Sequence, residues 1–292
     1  MPLRRLSNNI RAHGAARGVL EKADPLKWKA HRFGLPGQRW ELLKGKSFWV
    51  TGAGTGYGRC ISTGLAAAGA KVFLTGRRRD KLFESIREME SLSIPSMDCH
   101  VIEADITDEK GIKEACQRVK GLCHFLTGLV NNAALPPGPL SFPLLDEGLE
   151  RWERLMRTNV TAQWLLTKEA MAHMISGGEA KALFITSEAG WASTAGFGPY
   201  NISKAALNSL AFSMAEECAK RYPEADIQIN SLVAGEARTE MNRTSKESPY
   251  SIVSMALMLL SHPPGGPNGR FFHRDGRRLS FAYSRAHEKP LF

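Results

Sequence analysis

The sequence of 292 residues lacks any segment that could anchor it in a membrane. No apolar run approaches the roughly 20 residues that cross a bilayer, and the N-terminus has no apolar core of the kind found in secretion signals. We therefore expect a soluble protein without a membrane span.

Cysteine is also scarce. The five cysteines are odd in number and form no Cys-x-x-Cys pair, which predicts reduced thiols in a cytoplasmic protein rather than a disulfide framework. The eight histidines show no metal-ligand spacing, so no metal site is expected. Neither a repeat nor a low-complexity tract is present.

The net charge of +10 lies at the two ends of the chain, where residues 1–46 hold eleven Lys and Arg against three acidic residues. Basic arms bind nucleic acid, membranes or acidic partners, but no recognised nucleic-acid module accompanies this charge, so nucleic-acid binding is not expected. Trp28, Phe33 and Trp40 instead predict a packed arm over residues 1–44, followed by one domain over 45–292. If the basic start acts as a presequence, the mitochondrial matrix is the alternative location.

Tyr200 and Lys204 are the most informative pair, because residues four apart in a helix share one face. An ammonium group stabilises phenolate and lowers a tyrosine pKa from about 10, which suits proton transfer near neutral pH. Ser187 follows the apolar strand 181–186, where its hydroxyl can bond a substrate oxygen. The pattern predicts an acid–base site.

A glycine-rich turn at residues 51–58 lies between an apolar strand and a helical stretch. Glycines let the backbone approach a pyrophosphate, and the helix N-terminus offers unpaired N–H groups. Strands and helices continue to alternate along the chain, which predicts an α/β fold with a doubly wound parallel sheet, the Rossmann fold. In such a sheet, ligands bind beyond the carboxyl ends of the strands.

In their order and spacing these motifs resemble the short-chain dehydrogenase/reductase family, from about Lys46 to about Phe281. The resemblance implies an oxidoreductase that transfers a hydride between a nicotinamide and a carbonyl or secondary alcohol. It assigns the catalytic roles to a tetrad, with Tyr200 as general acid and base, Lys204 as its partner and the ribose contact, Ser187 orienting the reacting oxygen and Asn159 supporting a proton relay.

The resemblance also implies a set of cofactor-binding residues. These are Thr51, Gly52, Gly54, Thr55, Gly56, Tyr57, Gly58, Arg77, Arg78, Asp105, Ile106, Asn132, Ala133, Ala134, Tyr200, Lys204, Gly235 and Thr239. By the same resemblance we expect a homodimer or homotetramer formed through the helices that carry Asn159 and Tyr200.

The end of the second strand bears on the choice of nucleotide, because an acidic residue there would bond the adenine-ribose hydroxyl and exclude a 2′-phosphate. Gly76 stands at that position, and Arg77 and Arg78 follow it. A guanidinium group suits a phosphate, so we predict a preference for NADP(H), with NAD(H) as the alternative. The arginines could also form a solvated basic loop that does not bind the nucleotide.

Three positions depart from the family pattern. Ala234 stands where a proline is usual before Gly235, Tyr57 replaces a small aliphatic residue, and Glu188 follows Ser187. Glu188 could face a hydroxyl-rich or amine-bearing substrate, pair with Arg238 or point to solvent. Two further functions stay open: a catalytically weak, cofactor-binding scaffold, and a relative of the sugar-nucleotide epimerases and dehydratases.

Overall fold

The computed structural model describes residues 22–137, 144–191 and 195–280. Their strands form one sheet of order β3-β2-β1-β4-β5-β6-β7-β8, parallel throughout except for β8. The strands are β1 (Ser47–Thr51), β2 (Lys71–Gly76), β3 (Cys99–Glu103), β4 (Gly128–Asn131), β5 (Glu179–Thr186), β6 (Asp226–Val233), β7 (Arg270–His273) and β8 (Arg278–Leu279). This is the expected Rossmann-type sheet.

Helices cover both faces of the sheet. They are α1 (Trp28–His31), α2 (Gly37–Glu41), α3 (Gly56–Ala67), α4 (Arg79–Ser91), α5 (Glu109–Leu122), α6 (Leu149–Met156), α7 (Ala162–Ile175), α8 (Pro199–Arg221) and α9 (Val253–Leu260). In the described ranges, no helix is long and apolar enough to cross a membrane.

The central strands are buried on both faces, as a parallel sheet between two helix layers requires. Every residue of β1 is buried. On one face, β1 packs with Leu65 of α3 and Leu257 of α9. On the other, Trp49 shares a core with Leu166 of α7 and Leu207 of α8.

The described part of the basic arm packs on the α3 and α9 face. Phe33, Trp40 and Leu43 are buried there, and the Phe33 ring stacks on Tyr250 with 5.9 Å between centroids. Arg39 adds hydrogen bonds to Ser261 and to the carbonyl of Met258. Residues 22–44 thus lie on the same core as the sheet, while the boundary at residue 44 stays a prediction.

The strand order brings the functional candidates to one edge. Because β1 lies beside both β2 and β4, the crossovers reverse direction between β1 and β4, and the ligand crevice of this fold opens at that point. The helices α6 and α7 are joined by a π-helical turn over Arg157–Thr161. Such turns often mark functional sites, and this one carries Asn159.

Candidate active site

The turn between β1 and α3 has the shape that a pyrophosphate requires. Gly52 and Gly56 have φ angles of +62° and +54°, which only glycine adopts without strain. A β-carbon on Gly58 would lie 2.3 Å from the carbonyl oxygen of Gly52. Thr55 forms no side-chain cap on α3, so the first N–H groups of that helix suit an anion. The turn therefore fits a dinucleotide.

Polar contacts fix this turn to the end of β4. The Thr51 hydroxyl accepts hydrogen bonds from the N–H groups of Asn132 (3.0 Å) and Ala133 (3.1 Å). The Asn132 amide donates to the carbonyl of Thr51 at 2.9 Å. Three of the predicted cofactor residues therefore join the two strands that flank the crevice, and Ala134 follows them.

Basic side chains lie at the outer end of the crevice, after β2. Arg77 is 3.9 Å from Asp105, and Arg78 forms a 2.7 Å ion pair with Glu240 in the loop after β6. Both arginine side chains are more than half exposed. Asp105 also accepts hydrogen bonds from Thr107, and Ile106 is buried. A phosphate at this point would meet two guanidinium groups and compete with two carboxylates.

Tyr200 and Lys204 lie in the first turns of α8 and are both buried. The Lys204 ammonium is 5.6 Å from the centre of the Tyr200 ring and donates a 3.0 Å hydrogen bond to the carbonyl of Ile185. Burial lowers the pKa of Lys204 to about 8. The helical spacing thus places both groups beside the end of β5, as expected.

The expected lowering of the Tyr200 pKa is not what the structure shows. Burial raises the pKa of Tyr200 to about 12, although a hydrogen bond with Ser187 opposes the rise, and the nearby charge of Glu188 adds to it. The cause is desolvation, which disfavours phenolate. Spacing alone shows that an ammonium is near, but it does not show how much water the fold removes.

Asn159 reaches the site through the π-helical turn. Its side chain is buried, accepts a 2.7 Å hydrogen bond from the N–H of Leu135, and donates to the Leu135 carbonyl at 3.2 Å and to the Ser203 hydroxyl at 3.1 Å. Asn159 therefore links the segment after β4 to Ser203 of α8, the residue before Lys204.

Ser187 directly follows β5 and caps a short 3-10 turn, accepting a hydrogen bond from the N–H of Ala189 at 3.2 Å. The next residue, Glu188, does not pair with Arg238, which was one expectation. It lies 3.4 Å from His273 at the end of β7, and His273 lies 2.9 Å from Asp275. These carboxylates raise the pKa of His273 against the effect of burial.

The loop after β6 closes the site from the other side. Gly235 has a φ angle of +69° and packs against the Arg274 guanidinium. The Tyr57 hydroxyl donates a 2.8 Å hydrogen bond to the Gly235 carbonyl. Thr239 lies next to Gly56. A cleft of about 280 Å³ runs between this loop and the start of α3.

His273, Arg274 and Glu240 are site neighbours that motif reasoning did not assign to the site. His273 ends the parallel strand β7 and Arg274 follows it. Residues at the carboxyl end of such a strand lie at the ligand edge, and that position was the signal available in the sequence. Over the described ranges, no cluster of His, Cys, Asp and Glu could hold a metal ion.

Comparison with known proteins agrees with this geometry. The family model described as short chain dehydrogenase matches residues 46–249. The chain belongs to the short chain dehydrogenase family. It is therefore an NAD(P)-dependent dehydrogenase/reductase, and the resemblance seen in the motifs is confirmed.

Relatives of this family cover most of the chain. Dehydrogenase/reductase SDR family member 4 of Bos taurus is 30% identical over 225 residues, which are 76% of this chain and 77% of that protein. The 3-oxoacyl-acyl-carrier-protein reductase FabG of Aquifex aeolicus is 26% identical over 250 residues, 80% of this chain and 97% of that protein.

Solved structures share the fold. A short-chain type dehydrogenase/reductase from Mycobacterium ulcerans is 26% identical with a TM-score of 0.72, covering 79% of this chain and 88% of that one. A short chain dehydrogenase from Shigella flexneri, solved with NADP, has 23% identity and a TM-score of 0.72, covering 81% and 99%. The second likeness concerns the fold alone.

Proposed function

We propose that this dehydrogenase/reductase prefers NADP(H) and transfers a hydride between the nicotinamide and a carbonyl or secondary alcohol carbon, with Tyr200 as general acid and base. One observation carries the proposal. Tyr200 and Lys204 are buried together beside Ser187, at the same sheet edge as the glycine turn.

The nucleotide supplies the hydride chemistry when it is bound. The glycine turn and the start of α3 would hold its pyrophosphate, and Asp105 and Ile106 its adenine side. Lys204, at the inner end of the crevice, would bond the ribose next to the nicotinamide. Gly235 and Thr239 would border the nicotinamide itself.

The chain's own residues handle the proton. With its pKa raised to about 12, the Tyr200 phenol is protonated at neutral pH and can donate to the oxygen of a carbonyl substrate. Ser187 would orient that oxygen, since its hydroxyl already bonds Tyr200. Asn159, bonded to Leu135, would support a relay through water. In the alcohol-oxidising direction, the same tyrosine must lose its proton.

The preference for NADP(H) rests on Arg77 and Arg78. No carboxylate occupies the end of β2, where Gly76 stands, so the residue at that position does not repel a 2′-phosphate. The arginines lie at the crevice mouth with exposed guanidinium groups, which suit bidentate phosphate binding.

Fluorescence titration with NADPH and NADH tests the nucleotide, comparing wild type with Arg77→Ala and, as a matched control, Arg79→Ala. Arg79 is the adjacent arginine and pairs with Glu103 instead. We expect tighter binding of NADPH than of NADH, reduced by the first variant only. Tighter binding of NADH would contradict the preference.

Turnover on a panel of carbonyl compounds, lost in Tyr200→Phe, tests the reaction.

We also propose a packed arm over residues 1–44, a catalytic domain over 45–292 and a cytoplasmic location, together with the homodimer or homotetramer that the family suggests. Light scattering that finds a monomer at working concentration would contradict the assembly. A fluorescent fusion found in the mitochondrial matrix would contradict the location.

A further inference from the structure

One side chain links strand ends that are not neighbours in the sheet. Tyr57 follows β1, and Gly235 follows β6, while β4 and β5 lie between those strands. Three strand spacings amount to about 14 Å. The 2.8 Å hydrogen bond from the Tyr57 hydroxyl to the Gly235 carbonyl therefore joins the two sides of the crevice that the strand order creates.

The phenol is well placed to keep this contact. It is partly buried, and burial raises the pKa of Tyr57, so the group stays protonated and donates. Its environment is shared with the acid–base site, because the charges of Arg274 and of Glu188, the residue after Ser187, affect the Tyr57 pKa. Tyr57 thus belongs to the inner end of the crevice.

The loop that receives this bond has few other constraints at its start. Ala234 leaves φ unrestricted where a proline would hold it, and its N–H makes only a long 3.4 Å contact with the carbonyl of Thr186. Gly235 is at a positive φ and has no side chain. Among the described residues, the Tyr57 hydroxyl and the Arg274 guanidinium, which donates to the carbonyl of Glu236 at 2.8 Å, are the side-chain groups that bond the start of this loop. Further along the loop, Glu240 pairs with Arg78.

We propose that Tyr57 is a positioning residue, whose hydroxyl holds the loop of residues 234–242 against the glycine turn and keeps Thr239 beside Gly56. The proposal rests on the proposed nucleotide site, because a loop held in this way borders the nucleotide. Tyr57 thereby supplies the restraint that Ala234 does not.

Tyr57→Phe tests this, since it removes one hydroxyl and keeps the ring. Loss of one hydrogen bond changes an equilibrium constant by a factor of about three to ten. We expect the KM for NADPH to rise by that factor while kcat changes less than twofold. Trypsin cleavage at the exposed Arg243 and Lys246, without nucleotide, should accelerate by a similar factor because the loop opens more often. Tyr222→Phe, at the end of α8, is the control and should change neither.

The outcomes separate this proposal from the proposed function. An unchanged cleavage rate in Tyr57→Phe, with circular dichroism like that of wild type, overturns the positioning role, and so does a fall in kcat without a rise in KM. If wild type binds neither nucleotide, the proposed function fails, while the cleavage rates still decide whether Tyr57 holds the loop.

Discussion

Two buried lysines lie at opposite ends of the strands and differ in their neighbours. Lys181 lies where the strands begin, which we call the amino edge of the sheet, and Lys204 lies where they end, the carboxyl edge. Lys181, near the start of β5, lies 3.0 Å from Glu179 and 3.8 Å from Asp226. Lys204, beside the end of β5, contacts the carbonyl of Ile185 and the Tyr200 ring. Among the residues that the structure describes, no carboxylate forms an ion pair with Lys204.

This difference distinguishes the amino edge, where the buried lysine is paired, from the carboxyl edge, where the proposed active site lies. A buried charge is strongly unfavourable unless it is paired. The amino edge meets that requirement with two carboxylates. The carboxyl edge has no such carboxylate, and the lowered pKa of Lys204 reflects the unfavourable free energy of burying its charged form. Groups shifted in this way cluster at functional sites, which agrees with the proposed role of Lys204 toward a ribose.

The largest effect is expected at the carboxyl edge. Tyr200→Phe removes the proposed acid and base, so kcat/KM should fall by about 10²- to 10⁴-fold, while the Kd for NADPH stays within about threefold. Steady-state kinetics and fluorescence titration check this. Turnover like that of wild type would remove Tyr200 from the mechanism.

The amino edge should respond in stability. Lys181→Met removes the buried ammonium from Glu179 and Asp226 and should lower the free energy of unfolding by about 1.5–3 kcal/mol, because Glu179 keeps its ion pair with Lys46. Urea denaturation measures this. In the fraction that stays folded, kcat should be unchanged. A loss of kcat at constant stability would contradict the division between the two edges.

Lys204→Met, in contrast to Lys181→Met, should raise the free energy of unfolding. A pKa lowered from 10.5 to about 8 destabilises the folded protein below pH 8, because the unfolded chain holds the proton more tightly. After subtracting the lost bond to Ile185, the variant should gain about 2 kcal/mol at pH 7.

The gain from Lys204→Met should shrink between pH 8 and pH 10, because the wild-type lysine sheds its proton in the folded state across that range and its stability rises with pH. Urea denaturation at pH 7 and pH 9 checks the trend. A variant that is less stable than wild type at both pH values would show that burial of Lys204 carries no penalty.

A smaller effect is expected at the crevice mouth. Arg77→Ala should weaken NADPH binding by about tenfold and NADH binding by less than twofold, because only NADPH carries the 2′-phosphate. Equal weakening of both would place Arg77 at a part of the nucleotide that the two cofactors share.

The smallest effect concerns Glu240, which holds Arg78 in an exposed ion pair. Such pairs contribute about 0–1 kcal/mol. Glu240→Gln should therefore tighten NADPH binding by about two- to threefold and leave NADH unchanged. If it weakens NADPH binding instead, Glu240 does not compete with the phosphate for Arg78.

Local patterns in the sequence determined much of the site. The glycine turn needs residues that accept positive φ at fixed positions, and the Tyr200–Lys204 pair needs only helical spacing, so both are visible within a few residues. The alternation of strands and helices likewise predicts a parallel sheet. The absence of an acidic residue at Gly76 is equally local, and the prediction of NADP(H) drawn from it awaits the titration.

Only the tertiary structure decided what surrounds these groups. The π-helical turn aims Asn159 at Leu135, and the end of β7 brings His273 to Glu188, through contacts between segments far apart in the chain. The raised pKa of Tyr200 and the lowered pKa of Lys204 arise from burial. Burial depends on every element that excludes water from the site, and for that reason no local pattern predicted it.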